Sequence, residues 1–334
     1  MDDSSSRPQF SSASAPPPPG PPTADPPPPD LASPSQPPAA ARLQGSAESK
    51  ISRSPVVPWS PWTAPAALLS GLALALVGGL IVDIPALVLG VSVTASHVPA
   101  GLEIADTVVQ DGAFILAAIL FAQVGGRTVR SWQFGLRRPY TGWRAAAGLI
   151  VLLMIAFLTF SVLWGALVHV SKEKLLEQLG AEQSTLLLVL SAGLTCVIAP
   201  ICEEFLFRGF IFSALRNWRG AWPAALITGL VFGAVHLGSA PAADLVPLAG
   251  LGFGLCLLYG YTGSLYPCIV AHSLNNSLAF GSLEGWGLWQ VLALMLAAIL
   301  LIGGLALALV RVGVISPEPP SAPAGDAFAA PGAG

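Results

Sequence analysis

Ala199-Pro200-Ile201-Cys202-Glu203-Glu204-Phe205-Leu206-Phe207-Arg208-Gly209-Phe210 sets two adjacent carboxylates and an arginine inside a run otherwise fit for lipid. An ionisable side chain at the centre of a membrane helix costs roughly 2.5–3.5 kcal/mol on insertion scales. Three together need partners or a job. Read as a helix, the stretch places Glu204 and Arg208 at i,i+4 on one face, with the glutamate N-terminal, the better orientation. Glu203 lies about 100° further round. Glu204 is therefore the expected structural partner of Arg208, and Glu203 the carboxylate left free for chemistry. The plainer alternative is a buried ion pair that only fixes helix packing, but such a pair needs one glutamate.

Outward from that stretch, the chain is built for a bilayer. Apolar residues make up 54% of it and charged residues 10%, against about 25% charged in an ordinary soluble chain. Several apolar runs reach the roughly 20 residues that span a bilayer. Spans are expected near 64–94, 111–126, 143–169, 186–216, 221–238, 246–263, 266–283 and 287–310. The first contains Asp83 and Pro85 and should break or tilt; the second is short and begins at Asp111. The expected fold is all-α, a multi-pass transmembrane bundle of about eight helices with a disordered Pro-rich N-terminal tail. Residues 1–62 read as that cytoplasmic tail, 63–312 as the membrane domain with its core motifs in 184–280, and 313–334 as a disordered C-terminal tail.

The tail is rich in Pro, Ser and Ala and cannot bury enough apolar surface to offset its ordering. It reads as a plain tail rather than a docking site for a proline-reading partner. No apolar run follows the N-terminus, so no cleavable signal peptide is expected. The net charge of −3 leaves no electrostatic footprint for nucleic acid. Cys196, Cys202, Cys256 and Cys268 lie in apolar segments without CxxC spacing, and read as small buried hydrophobes rather than a zinc or disulfide framework.

Lys and Arg set the orientation. Arg127, Arg130, Arg137, Arg138 and Arg144 lie between spans two and three, Arg216 and Arg219 after span four, Arg311 after span eight, and Lys50 and Arg53 before span one. With eight spans, all fall on one side, and the positive-inside rule places both termini in the cytoplasm. The stretch from Lys172 to Gln183 looks amphipathic and is expected on the outer surface.

Two further spans carry polar groups. Phe232-Gly233-Ala234-Val235-His236 lies in span five, and His272-Ser273-Leu274-Asn275-Asn276 in span seven, with His272 and Asn276 at i,i+4 on one face. At 1.5 Å per residue, Glu203, His236, His272 and Asn276 all come to lie roughly 12–20 Å below the cytoplasmic ends of their spans. Gly229 and Gly233 form a small-xxx-small pattern, and Gly250, Gly252 and Gly254 in span six do the same, so other helices can approach closely. A carboxylate beside an imidazole can hold and deprotonate a water, and an imidazole with an amide can donate to a developing oxyanion. The alternative is zinc held by His236, His272 and Glu203 with one position open; Asn276 is a poor zinc ligand, which favours the version that requires no cofactor. HExxH, GxGD and Gly-x-Ser-x-Gly are absent.

Glu203-Glu204-x-x-x-Arg208, Phe232-x-x-x-His236 and His272-x-x-x-Asn276, in that order on successive spans, resemble the CPBP family. These are the type II CAAX prenyl endopeptidases and bacteriocin-processing (Abi) proteins. Phe134-Gly135-Leu136-Arg137-Arg138-Pro139 upstream also looks like that family. The resemblance covers about 110–310, and strongly 184–280. It implies an eight-helix intramembrane protease in which Glu203 and His236 activate the water, His272 and Asn276 form the oxyanion hole, and Arg208 supports the Glu203–Glu204 pair. Members are often labelled metalloproteases, while the glutamate-protease view needs no metal.

The leading expectation is an intramembrane endopeptidase whose site opens to the cytoplasm. Its partners would be membrane lipids and a peptide or lipidated-protein substrate. The composition suggests the bacterial cytoplasmic membrane, where a short peptide precursor is a more natural substrate than a prenylated protein. The rival is a non-catalytic membrane scaffold or bacteriocin self-immunity protein. A transporter built on buried Glu and His is weaker, because no inverted repeat of interrupted helices is seen.

Overall fold

The computed structural model describes residues 57–91, 98–168 and 184–316 of the chain. Most of the expected N-terminal tail, the 172–183 stretch and nearly all of the C-terminal tail lie outside the described residues. The chain divides into a unit 1–42, which falls outside them, and a unit Leu43–Gly334, which carries the helices.

The described residues hold eight principal helices and no strand: α1 (Thr63–Val88), α2 (Ala100–Ala122), α3 (Trp143–Leu167), α4 (Thr185–Arg219), α5 (Ala221–Val235), α6 (Leu245–Thr262), α7 (Tyr266–Leu283) and α8 (Leu288–Arg311). Six are long and apolar enough to cross a membrane: α1, α2, α3, α4, α8, and α6 counted from Ala242. The other two differ from the expected spans. Helix α5 stops after 15 residues, and α7, at 18 residues, carries too many polar groups. His236 follows the short α5 directly and His272 lies on the polar α7, so both site histidines belong to the two helices that fall short as membrane spans.

The start of span two and the break expected in span one are corrected. Helix α2 begins at Ala100, eleven residues before Asp111, so Asp111 sits in mid-helix. Its three carboxylates, Glu103, Asp106 and Asp111, masked the span to a reading based on unbroken apolar runs. Helix α1 is continuous through Pro85 and ends three residues later, at Val88. Proline at that point removes a hydrogen bond only from the last turn, where little helix remains to kink.

Packing follows the small residues. A side chain at Gly229 would meet the Phe253 nitrogen at 2.7 Å and the Ala249 oxygen at 2.8 Å; at Gly233 it would meet the Leu245 oxygen at 2.5 Å. From the other side, Gly252 faces Phe232 Cβ at 2.9 Å. Backbone therefore meets backbone between α5 and α6, as the glycine spacing implied. Gly254 faces Leu153 on α3, so α6 is packed between α5 and α3.

One end of the bundle is tied by the 134–140 segment. Gly135, at φ 86°, turns the chain, and Arg137 Nε donates to the Gly263 carbonyl at 2.8 Å while Ser264 Oγ donates to the Arg137 carbonyl at 2.5 Å. Phe134 stacks on Phe205, with centroids 4.2 Å apart, and touches Trp59. Asn217 Nδ2 donates to the Val57 carbonyl at 2.6 Å, which ties the entry to α1 to the same end. The conspicuous Phe-Gly-Leu-Arg-Arg-Pro motif is thus a clamp on the α6–α7 turn.

Replacing Gly233 by leucine forces α5 away from α6. It is expected to destabilise the detergent-purified protein by about 1–3 kcal/mol or more, read as a lowered thermal midpoint. Gly303→Ala on α8, where an added carbon meets nothing within 4 Å, should leave the midpoint unchanged.

Candidate active site

Helix α4 carries the acidic pair through two stretches of π-helix, Leu194–Ile198 and Phe205–Phe212, that flank Ala199–Glu204. Wide turns of this kind are rare and concentrate at functional sites. A local cause is Pro200, which has no N–H to return to the preceding turn. The carbonyls freed there are met by α7: Ser273 Oγ donates to the Cys196 carbonyl at 2.6 Å, and Asn276 Nδ2 to the Thr195 carbonyl at 2.9 Å. The same proline that widens α4 therefore docks the helix that bears His272.

Arg208 is fully buried, as is Glu204. Arg208 Nη1 donates to Glu204 Oε1 at 2.6 Å and Nη2 to the Gly252 carbonyl on α6 at 3.1 Å. Its guanidinium carbon lies 4.4 Å from the Phe232 ring centroid on α5. Glu204 Oε1 also accepts from His272 Nδ1 at 2.9 Å. The pairing read from the i,i+4 spacing holds, and Glu203 is the carboxylate left outside it. Glu203 Oε2 is buried, has no hydrogen-bond partner, and lies 4.0 Å from His272 Nε2.

The hydrogen bonds assign the histidine tautomers. His236 Nδ1 lies 2.7 Å from the Phe232 carbonyl, which can only accept, so Nδ1 carries the proton. A Glu204 carboxylate already paired with Arg208 accepts the Nδ1–H of His272 in the same way. In the neutral form, both rings therefore keep the Nε2 lone pair for other use. Asn276 gives one amide N–H to Thr195, while its oxygen accepts from Asn275 Nδ2 at 3.3 Å. Among the described residues, its second N–H meets no acceptor.

Glu203, His236, His272 and Asn276 all line one cavity of about 690 Å³. Arg208 and Glu204 stand behind its wall. Among the described residues, no three His, Cys, Asp or Glu side chains close around a point as a metal set. The four cysteines are free, and three of them are buried.

The cavity also has a wall that the sequence reading missed. Helix α1 lends its C-terminal half and α2 its N-terminal half, bringing Asp83, Glu103, Asp106 and Asp111 to the same chamber as Glu203. The signal was available: Glu103, Asp106, Gln110 and Asp111 recur at helical spacing. It was hidden because the first two were placed in a loop. The lining comes from the end of the bundle where α1, α5 and α7 finish and α2 and α6 begin. The arginine-rich connections lie at the opposite end. An opening to the cytoplasm thus conflicts with placing those arginines in the cytoplasm.

Residues 185–278 match the family model described as Rce1-like, type II CAAX prenyl endopeptidase Rce1-like. That stretch holds the acidic pair, Arg208, both histidines and Asn276. A Bacillus subtilis (strain 168) protein named "Putative membrane peptidase YdiL" is 35% identical over 81 residues, 24% of this chain and 32% of the relative. An uncharacterized protein of Mycoplasma capricolum subsp. capricolum (strain California kid) is 30% identical over 93 residues, 28% of this chain and 27% of the relative. The chain thus spans about a third or less of the length of these curated relatives. No solved structure matches it. The similarity to type II CAAX prenyl endopeptidases, read from three motifs, holds over this core. With its six apolar helices, the chain is an integral membrane protein.

Removing Arg208 leaves Glu204 buried without its main counter-charge. Arg208→Met should therefore destabilise the protein by about 3–5 kcal/mol, seen as a large fall in thermal midpoint. Pairing it with Glu204→Gln should recover part of that loss, because the second change removes the orphaned charge.

Proposed function

We propose that the protein is an intramembrane endopeptidase that hydrolyses a peptide bond with water activated by Glu203. The observation that carries this reading is Glu203 Oε2, buried at the cavity wall without a partner and 4.0 Å from the lone-pair nitrogen of His272. A gap of that length suits one bridging water. The support from the comparisons is the match over 185–278 and the relative named as a membrane peptidase.

In this reading Glu203 removes a proton from the water as its oxygen attacks the scissile carbonyl carbon. His236, anchored through Nδ1–H, accepts the water's second hydrogen at Nε2 and fixes its direction. Charge develops on the carbonyl oxygen and is met by the free N–H of Asn276. His272, whose neutral ring keeps the Nε2 lone pair, stands on the Glu203 side of the same water. Glu203 then returns the proton to the leaving nitrogen, the C–N bond breaks, and an acid and an amine are left. Glu204 and Arg208 act at one remove, as positioning residues that hold His272.

A second reading is zinc: each ring keeps its Nε2 lone pair, although among the described residues His236, His272 and Glu203 do not close around one point. Each ring is anchored through Nδ1–H to a carbonyl or a carboxylate, as metal-bound histidines are. His236, His272 and Glu203 supply the donor types of a catalytic zinc site, and zinc bound there would polarise the carbonyl and acidify a water.

The substrate would be a peptide or lipidated-protein segment presented within the membrane, among lipids. A bacterial cytoplasmic membrane with both termini inside is the setting implied by composition and charge bias. The rival, a scaffold or self-immunity protein, would use the cluster only to fold.

Cleavage of a quenched fluorescent peptide by purified protein tests these readings. Glu203→Gln should lower kcat/KM by about 10²-fold or more with the thermal midpoint retained. A mutant that instead loses folded protein, with no separate loss of cleavage, would support the scaffold. Resistance to chelator supports glutamate-activated water; loss restored by zinc supports the metal reading.

A further inference from the structure

We propose that the α1–α2 wall of the cavity is a cation-recognition subsite, which selects substrates carrying an arginine or lysine side chain beside the bond presented to Glu203. This rests on reading the cavity as a substrate chamber, and it concerns helices that the 185–278 match does not reach.

Asp111 carries the inference. It is 2% exposed, it lines the cavity, and neither of its carboxylate oxygens has a hydrogen-bond partner. Enclosed polar atoms are almost always paired, and a carboxylate left alone is destabilised until a donor or a cation reaches it. Asp83 Oδ1 and Asp106 Oδ1 are likewise buried without partners. Glu103 completes the wall.

The surroundings decide the sign of the ligand. Among the described residues, five carboxylates line the chamber, Asp83, Glu103, Asp106, Asp111 and Glu203, and no lysine or arginine does. The arginine nearest the acidic pair, Arg208, is spent on Glu204 and the Gly252 carbonyl. A substrate ending in a free carboxylate inside this chamber would meet like charge. A guanidinium or ammonium would meet opposite charge, screened least by water at the enclosed Asp111. Arginine fits best, because its planar fork can serve two carboxylate oxygens at once.

Helix geometry makes the wall a designed surface rather than scattered acids. On α2 the acids, three and five residues apart, cover an arc of about 140°. On α1, Leu72, Ala75, Leu76, Gly79 and Asp83 step by three, one, three and four and run from apolar to acidic. The chamber is therefore apolar toward Leu72 and Phe114 and acidic toward Asp83 and Glu103. A peptide with a hydrophobic segment followed by a basic residue matches both halves.

The test uses the full chain in phosphatidylcholine nanodiscs and a fluorescently labelled apolar peptide with a single arginine. The control is the same peptide with neutral, isosteric citrulline, and binding is read by anisotropy. The arginine peptide should bind about tenfold tighter, the factor that 1.4 kcal/mol represents. The preference should fall towards parity in Asp111→Asn and, independently, in Asp83→Asn/Asp106→Asn, which alters less enclosed positions. Anisotropy reads binding without turnover, so failure of hydrolysis and failure of recognition are read separately. Equal affinity for both peptides, or a preference unchanged in both carboxamide variants, would overturn the proposal.

Discussion

The positive charge of Arg208 has no route to water, so the helices around it are arranged to meet it. Glu204 lies one turn before it on α4, the Gly252 carbonyl comes from α6, and the face of Phe232 comes from α5. Glu204 in turn takes the Nδ1–H of His272 on α7. One guanidinium thereby fixes four helices against each other. Breaking such a group strands a charge in low dielectric, which is why it specifies a single packing whatever its net contribution to stability. It also fixes a tautomer, so His272 turns its Nε2 lone pair towards Glu203.

Pro200 extends the arrangement through the backbone. In a bilayer every main-chain polar group must be satisfied internally, and a proline in mid-helix leaves carbonyls unmet. Those of Thr195 and Cys196 are met by Asn276 and Ser273. Helix α7 is too polar to count as a span on composition, and this is where its polarity goes. The approach of α6 to α5 through Gly229, Gly233 and Gly252 brings the Gly252 carbonyl within reach of Arg208. Glycine spacing, proline placement and charge pairing thus act on one point.

Much of this was legible in the sequence. The Glu204–Arg208 pairing followed from helical spacing, the helix count from apolar runs, and the meeting of Glu203, His236, His272 and Asn276 from depth along antiparallel spans. What stayed hidden has identifiable causes. A regular helix was assumed for α4, and π-turns leave no simple periodic mark. The start of α2 was missed because charged residues interrupt the apolar run, yet those residues face a chamber rather than lipid. The tautomers of His236 and His272 depend on which carbonyl or carboxylate each ring meets, a tertiary fact.

The direction in which the chamber opens was the least legible feature, because mid-depth residues look alike from either side. The lining settles the direction within the bundle. It comes from the ends of α1, α5 and α7 and the starts of α2 and α6, while Arg137, Arg216 and the Trp59 anchor mark the other end. The bundle is therefore polar along its axis, with cations outside one end and carboxylates inside the other. The acidic mouth and the arginine-rich connections lie at opposite ends of the bundle, so only one of them can face the cytoplasm. On the recognition proposed above, a basic residue drawn into that mouth would bring its apolar neighbour towards Glu203. Recognition and orientation of a substrate would then share one electrostatic origin.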